Sequence, residues 1–215
     1  MMRYDLHLHT NISRCASMRM TPETILKIAK RKGLDGIAPL DHNTIKGSLR
    51  VAKSNKDKDF EVITANEVKT QYGDVIIYYI NEDPPSNDLF ELLDFAKEID
   101  AVVSIAHPFR FMPHLHFNYP IRKIANKIHA VECLNSRTLP FENKKAVRIA
   151  DELNLAKTAG SDAHFPFEIG RGYAVFYDDF RTAVKKRKIS VGGNSLAYLP
   201  GNFLTFIKRR LQIQI

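Results

Sequence analysis

Asp5-Leu6-His7-Leu8-His9-Thr10 sets two imidazoles two residues apart, with leucines alternating between the polar positions. In an extended strand successive side chains point to opposite faces, so His7 and His9 emerge side by side. Two imidazoles on one face can grip a single divalent metal. An isolated His-x-His equally suits an edge strand with a polar face. Repetition favours the metal: Asp162-Ala163-His164 repeats the spacing, Asp41-His42 adds an acid beside an imidazole, and His107 precedes Pro108. Five of the eight histidines therefore occupy settings suited to ligation.

Such residues converge only if the elements between them bring them together. Extended apolar runs cover Arg3–His9, Asp35–Leu40, Phe60–Val68, Asp74–Ile80, Ala101–Ala106, Ile128–Leu134, Ala156–Gly160 and Gly172–Tyr177. Helical patterns alternate with them. Thr21-Pro22-Glu23 opens one helix with a cap, a first-position proline and a first-turn acid, and Gly33 closes it. Others span Ser86–Asp100, Phe141–Leu153 and Asp179–Lys188, with shorter ones at Ile45–Lys53 and Ile121–Lys127. Strand–helix alternation argues for a parallel sheet, barrel or open. His9, His42, Glu67, His107 and Asp162 fall at or just beyond successive strand ends, which meet at one point only when the sheet curls into a barrel. Phe109–Pro120, which includes His114 and His116, reads as an excursion able to cover the site. Phe203, Phe206, Ile207, Arg210 and Leu211 have helical spacing that packs against the barrel, while Leu211–Ile215 alternates like a strand.

The 215 residues are expected to form a single domain, with the barrel at roughly 3–177 and a basic helix and C-terminal tail at 178–215. Lys+Arg 32 against Asp+Glu 24 gives a net charge of +8, which favours anionic partners, either phosphorylated small molecules or nucleic acid. No apolar run is long enough to span a membrane, and the first residues lack the pattern of a signal peptide. Cys15 and Cys133 are too few and too far apart to suggest a disulfide framework, so a cytoplasmic location is expected.

Together, Asp5-Leu6-His7-Leu8-His9-Thr10, Asp41-His42-Asn43, Ala65-Asn66-Glu67, Ala106-His107-Pro108 and Gly160-Ser161-Asp162-Ala163-His164 resemble the PHP family, the polymerase and histidinol phosphatase group of metal-dependent phosphoesterases. The resemblance covers roughly residues 3–177. It implies an α/β fold, a distorted TIM-like (β/α)7 barrel, with two or three divalent ions (zinc, manganese or iron) at the strand ends. By position it assigns His7, His9, Glu67 and Asp162 to a first metal. Glu67 then bridges to a second, also held by His107, and His42 and His164 hold a third. Glu67, His107 and Asp162 become the catalytic set, and the implied reaction is attack of a metal-bound hydroxide on a phosphomonoester.

Two positions depart from the family pattern. Cys15 stands where a ligand of the third metal is expected, and is either a thiolate ligand or a free buried cysteine. Asp74 follows Gly73 where the family tends to carry a histidine, and is either a carboxylate ligand or a turn residue. Arg110, Arg137 and Arg171 follow strand ends or site motifs and are candidates for binding phosphate, or else ordinary salt-bridge residues. Glu132 reads as a buried supporting acid or a partner for a lysine, and His129 as a strand or surface residue. A metal-dependent nuclease acting on DNA or RNA ends is the alternative, as is a metal-free barrel serving as a subunit of an assembly. The sequence leaves the oligomeric state open.

Overall fold

The computed structural model of the protein describes residues 1–111, 116–195 and 198–211. Its first half runs β1 (Met2–His9), α1 (Pro22–Arg31), β2 (Gly36–Leu40), α2 (Lys46–Ser54), β3 (Glu61–Val62), β4 (Ala65–Thr70), β5 (Gly73–Tyr78) and α3 (Leu89–Glu98). The second half continues with β6 (Val102–Ile105), α4 (Ile121–Ile124), β7 (Ala130–Asn135), α5 (Pro140–Glu152), β8 (Ala156–Gly160), β9 (Gly172–Phe176), α6 (Phe180–Lys186), β10 (Ser190–Gly193) and α7 (Tyr198–Leu211). Helix starts follow the expected chemistry: Thr21 accepts from the Thr24 N–H, Asp88 from Phe90 and Glu91, and Asp179 from Thr182.

All ten strands join one sheet in the order β3-β2-β1-β9-β8-β7-β6-β5-β4, with β10 added beside β9. Within that path only β5 and β9 run against the other seven strands. The sheet curls until its ends meet. The Glu67 N–H donates to the Asp41 carbonyl at 3.1 Å, and the Asn43 N–H donates to the Glu67 carbonyl at 3.0 Å. This is the distorted barrel that the resemblance to the PHP family implies, and the two reversed strands are its distortion. Reversal has a use: β5 begins where β4 and β6 end, so Asp74 reaches the same mouth as residues at the ends of parallel strands.

β1 lies between β2 and β9, so it is not an edge strand, and Asp5, His7 and His9 are buried inside the protein. At Gly160 on β8 a Cβ would collide with the backbone and Cβ of His7, so only glycine lets β8 pass beneath that imidazole. The apolar core lies in three clusters. The largest joins α3 and α5 to β5, β6 and β7; another packs α1 and α2 against β1 and β2; the third runs through the barrel to α6.

Three expectations need correction, and one strand, β10, goes unannounced in the sequence. The run Phe60–Val68 is two strands, because Ile63 still donates to Ile37 of β2 while the next carbonyl, of Thr64, accepts from Tyr79 beyond β5. β10 has two glycines and no alternating apolar pattern to announce it. The excursion after His107 folds down on the β4–β5 turn: Phe117 is core, Tyr119 packs on Tyr72, and Asn118 donates to the Tyr72 carbonyl. His114 lies outside the described residues. The last helix forms as spaced, but Phe203 and Phe206 are 62% and 65% exposed, while Gly201, Thr205 and Lys208 face inward. Residues 212–215, and with them the strand expected at the end, lie outside the described residues.

Candidate metal centre

The mouth of the barrel gathers the five histidines that the spacing singles out. His7 Nε2 lies 3.5 Å from Glu67 Oε1 and 3.7 Å from Asp162 Oδ1. His9 Nε2 is 3.4 Å from an oxygen of each of the same two acids. His107 Nε2 approaches Glu67 Oε1 at 3.1 Å, and His42 Nδ1 approaches Glu67 Oε2 at 2.9 Å. His164 lies against His9, with ring centroids 4.3 Å apart and the rings tilted by 51°. Barrel closure itself brings His42 to Glu67, since the backbone bridge pairs those two residues.

Ligand-type atoms fall into three overlapping groups: His7, Glu67 and His107; His7, His9 and Asp162; and His9, Cys15, His42 and His164. Within each group the atoms lie within 4.8 Å of one another. These donor sets fit divalent ions. His7 Nε2 is buried without a hydrogen-bond partner among the described residues, and His42 Nδ1 and Glu67 Oε2, although 2.9 Å apart, are not aligned for a hydrogen bond; all three face the cluster. A buried polar atom left unpaired is costly, and coordination would satisfy it. The third group offers only nitrogen and sulfur, a set suited to zinc, whereas the other two include carboxylate oxygen. Asp74 is buried beside the first group, 3.9 Å from His107 Nε2, and Cys15 is buried and free.

A surrounding layer sets the direction of each ring. Glu132 Oε1 accepts from His7 Nδ1 at 2.9 Å, leaving Nε2 turned to the acids. Its other oxygen accepts from the His107 N–H at 2.8 Å and from Asn135 Nδ2 at 3.1 Å. Ser13 donates its hydroxyl to Asp41 at 2.5 Å and meets His9 Nδ1 at 3.3 Å, so a serine relays the pull of Asp41 to the ring. His164 Nδ1 donates to the Asp162 carbonyl at 2.8 Å. Asp5, pushed up to about 6 by burial, accepts from Ser161 and Gly170 and ties the loop carrying Asp162 to β1. His107 and Asp162 both hold positive φ, 25° and 52°, a strained backbone that this bonding maintains. Glu132→Gln, which keeps shape but removes charge from the His7 bond, is expected to weaken metal affinity about 10- to 100-fold in a competitive chelator titration. Unchanged affinity would remove Glu132 from this role.

The electrostatics match a cation-binding pocket. Burial opposes charge on His7, yet Glu132, Glu67 and Asp162 outweigh it and hold the imidazole well above its usual range. Against the same penalty, Glu67 and Cys15 lift His42 to about 11. Burial would also raise Glu67 and Asp162, but the facing imidazoles hold both well below the carboxylate range. His9 and His164 go down, chiefly through burial. The acids thus draw positive charge into the mouth, as protons or as metal ions.

The three arginines separate. Arg110 is at the cluster, donating to Asp162 Oδ2 at 3.1 Å. Arg137 is nearly fully buried, donating to Thr205 Oγ1 at 2.8 Å with Nε 3.6 Å from Glu168. Arg171 donates to the Phe167 carbonyl and stacks on the Phe167 ring, and no described contact joins it to the cluster. His129 is structural, its Nδ1 accepting from the Val103 N–H. Sequence reasoning misses Ser13, Asn135 and Glu168. Glu168 accepts from the His164 and Phe165 N–H groups, and its only signal is an acid four residues after His164.

The PHP-associated family model matches residues 140–189, from α5 through α6, a stretch that contains Asp162 and His164. An uncharacterised protein of Methanocaldococcus jannaschii is 34% identical over 182 residues, covering 81% of this chain and 70% of the relative. Among solved structures, a two-domain protein of Bacteroides vulgatus described as containing a PHP-like metal-dependent phosphoesterase matches with a TM-score of 0.74 at 18% identity, over 95% of this chain and 69% of its own. A lesion-specific endonuclease of Pyrococcus furiosus matches with a TM-score of 0.65 at 21% identity, over 88% of this chain and 57% of its own. Both structural matches are likenesses of fold. With a relative matched along most of its length and a barrel whose mouth gathers the histidines and acids in the expected order, the chain belongs to the PHP family.

Proposed function

We propose that the protein is a metal-dependent phosphoesterase that hydrolyses a phosphomonoester, either a small phosphorylated metabolite or a nucleotide. The observation that carries this reading is the set of three overlapping ligand groups around Glu67, Asp162 and five histidines in one buried mouth. Bound there, two or three divalent ions (zinc, manganese or iron) would polarise the phosphoryl oxygens and lower the pKa of an attacking water. The chain's own part is to hold these donors in place. Glu132 and the Asp41–Ser13 pair fix the His7 and His9 rings, and Asn135 steadies Asp162 with a 3.3 Å bond. Arg110, bonded through one amino group to Asp162 and through the other to Asn202, still has N–H groups left for phosphate oxygens. The net charge of +8 draws anions towards the mouth.

Burial favours a small substrate over the nuclease alternative. His42 is 26% exposed, whereas the His7, His9 and Glu67 side chains are almost fully covered. The complete ligand groups oppose a metal-free subunit. No helix among the described residues is long and apolar enough to cross a membrane, and two buried free cysteines suit a reducing cytoplasm. Incubating the purified protein with manganese or zinc and a generic aryl phosphate, then with a panel of phosphorylated metabolites, is expected to release phosphate, and His7→Ala to abolish the release. Silence with every metal and substrate would overturn the reading.

A further inference from the structure

Helix α7 is docked on polar groups. Its inward residues Gly201, Thr205 and Lys208 recur at helical spacing, and each meets the loops that carry the site. Thr205 accepts from buried Arg137, and Lys208 donates to the Ala16 carbonyl in the loop holding Cys15. A Cβ at Gly201 would collide with Glu168 Oε1. One position on, Asn202 accepts from the second amino group of Arg110 at 3.4 Å and donates to the Arg137 carbonyl at 3.2 Å. The Arg110 guanidinium is thus strung between Asp162 in the cluster and Asn202 on the helix.

At His42 the mouth opens into a cavity of about 390 Å³ lined by Ser13, Arg14, Cys15, Asp41, His42 and Thr44. It reaches the most exposed of the five histidines, His42. Its volume sits at the low end of the range for small-molecule sites, roughly 300–1,000 Å³.

We propose that α7 is the specificity element of this site: through Asn202 it positions Arg110 against Asp162, it closes the arginine side of the mouth, and it leaves the Arg14–Thr44 cavity as the approach for a phosphomonoester with a small leaving group. This rests on the phosphoesterase reading above. Asn202 is a positioning residue, acting through Arg110. A polynucleotide end must displace the helix to present its phosphate to the same guanidinium.

The test compares an aryl phosphate with a 5′-phosphorylated oligonucleotide, using manganese-loaded full chain. Wild type is expected to favour the aryl phosphate by about tenfold or more in kcat/KM. In Gly201→Val the side chain cannot share space with Glu168, whose other oxygen is held by two backbone N–H groups, so the helix must lift. The oligonucleotide-to-aryl ratio is then expected to rise about tenfold. Asn202→Ala is expected to raise the aryl phosphate KM about tenfold with kcat within about threefold, and to weaken inorganic phosphate binding in calorimetry by a similar factor. Melting curves confirm that both variants remain folded. Equal handling of both substrates by wild type, or an unmoved ratio in Gly201→Val, would overturn the inference while leaving the phosphoesterase intact. Phosphate release from neither substrate defeats the phosphoesterase reading, and unchanged phosphate binding in Asn202→Ala defeats the role of the helix separately.

Discussion

Glu67→Gln is expected to cut phosphate release by about 10³-fold or more and to lower the metal content per chain, while the barrel stays closed. Closure survives because the bonds from Glu67 to Asp41 and Asn43 are made by its main chain. The side chain is another matter. Its two oxygens face His107 and His7 on one side and His42 and His9 on the other, so it joins the ligand groups through a shared charge. Glutamine keeps the volume but offers one neutral oxygen, and its amide presents N–H donors to atoms that need an acceptor or a cation. Losing several kcal/mol of charge stabilisation in the transition state corresponds to about three powers of ten in rate. Single-turnover kinetics at saturating manganese, with elemental analysis of the same sample, decide the matter. Full activity in Glu67→Gln would place the chemistry elsewhere.

Adding manganese or zinc to metal-stripped protein is expected to raise the melting temperature by about 10 °C. Glu67, Glu132, Asp162 and Asp74 are all buried around one mouth with the His7, His9, His42 and His107 rings turned towards it, so an ion finds its donors already gathered. An ion that binds only the folded chain stabilises it by about 4 kcal/mol at a thousand times its dissociation constant. For a domain of this size each kcal/mol moves the midpoint by roughly 2–4 °C. His7→Ala should show less than half of the shift, because His7 belongs to two of the three ligand groups. Differential scanning calorimetry with and without chelator reads the effect directly. A melting temperature indifferent to both metals would mean that the cluster binds neither.

The candidate ligands are legible in the sequence because strand periodicity gives the face of each histidine and the strand ends give a meeting place. His7 and His9 on β1, Glu67 on β4 and His107 after β6 need no more than that. What holds the ligands is less visible. Glu132 is one acid in an apolar strand, and nothing local shows that it spans the barrel to His7. The Ser13 relay depends on a loop closing on Asp41 from another strand. Helix α7 shows where the hydrophobic pattern misleads. Spacing alone assigns Phe203 and Phe206 to the buried face, yet the surface beneath is made of Arg137, Glu168 and a carbonyl, so glycine, threonine and lysine turn inward instead. Arg137 looks like a surface cation for the same reason, since its partners Thr205 and Glu168 are remote in sequence.

The placement of β1 between β2 and β9 has a consequence for the birth of the molecule. During synthesis His7 and His9 leave the ribosome well before Asp162, His164 and the strand that flanks β1 on its other side. A half-made chain therefore carries an incomplete coordination set and an unpaired strand edge, an assembly of high contact order that is slow and exposed to chaperones. An ion that takes ligands from both β1 and the loop after β8 can bind only once both have emerged.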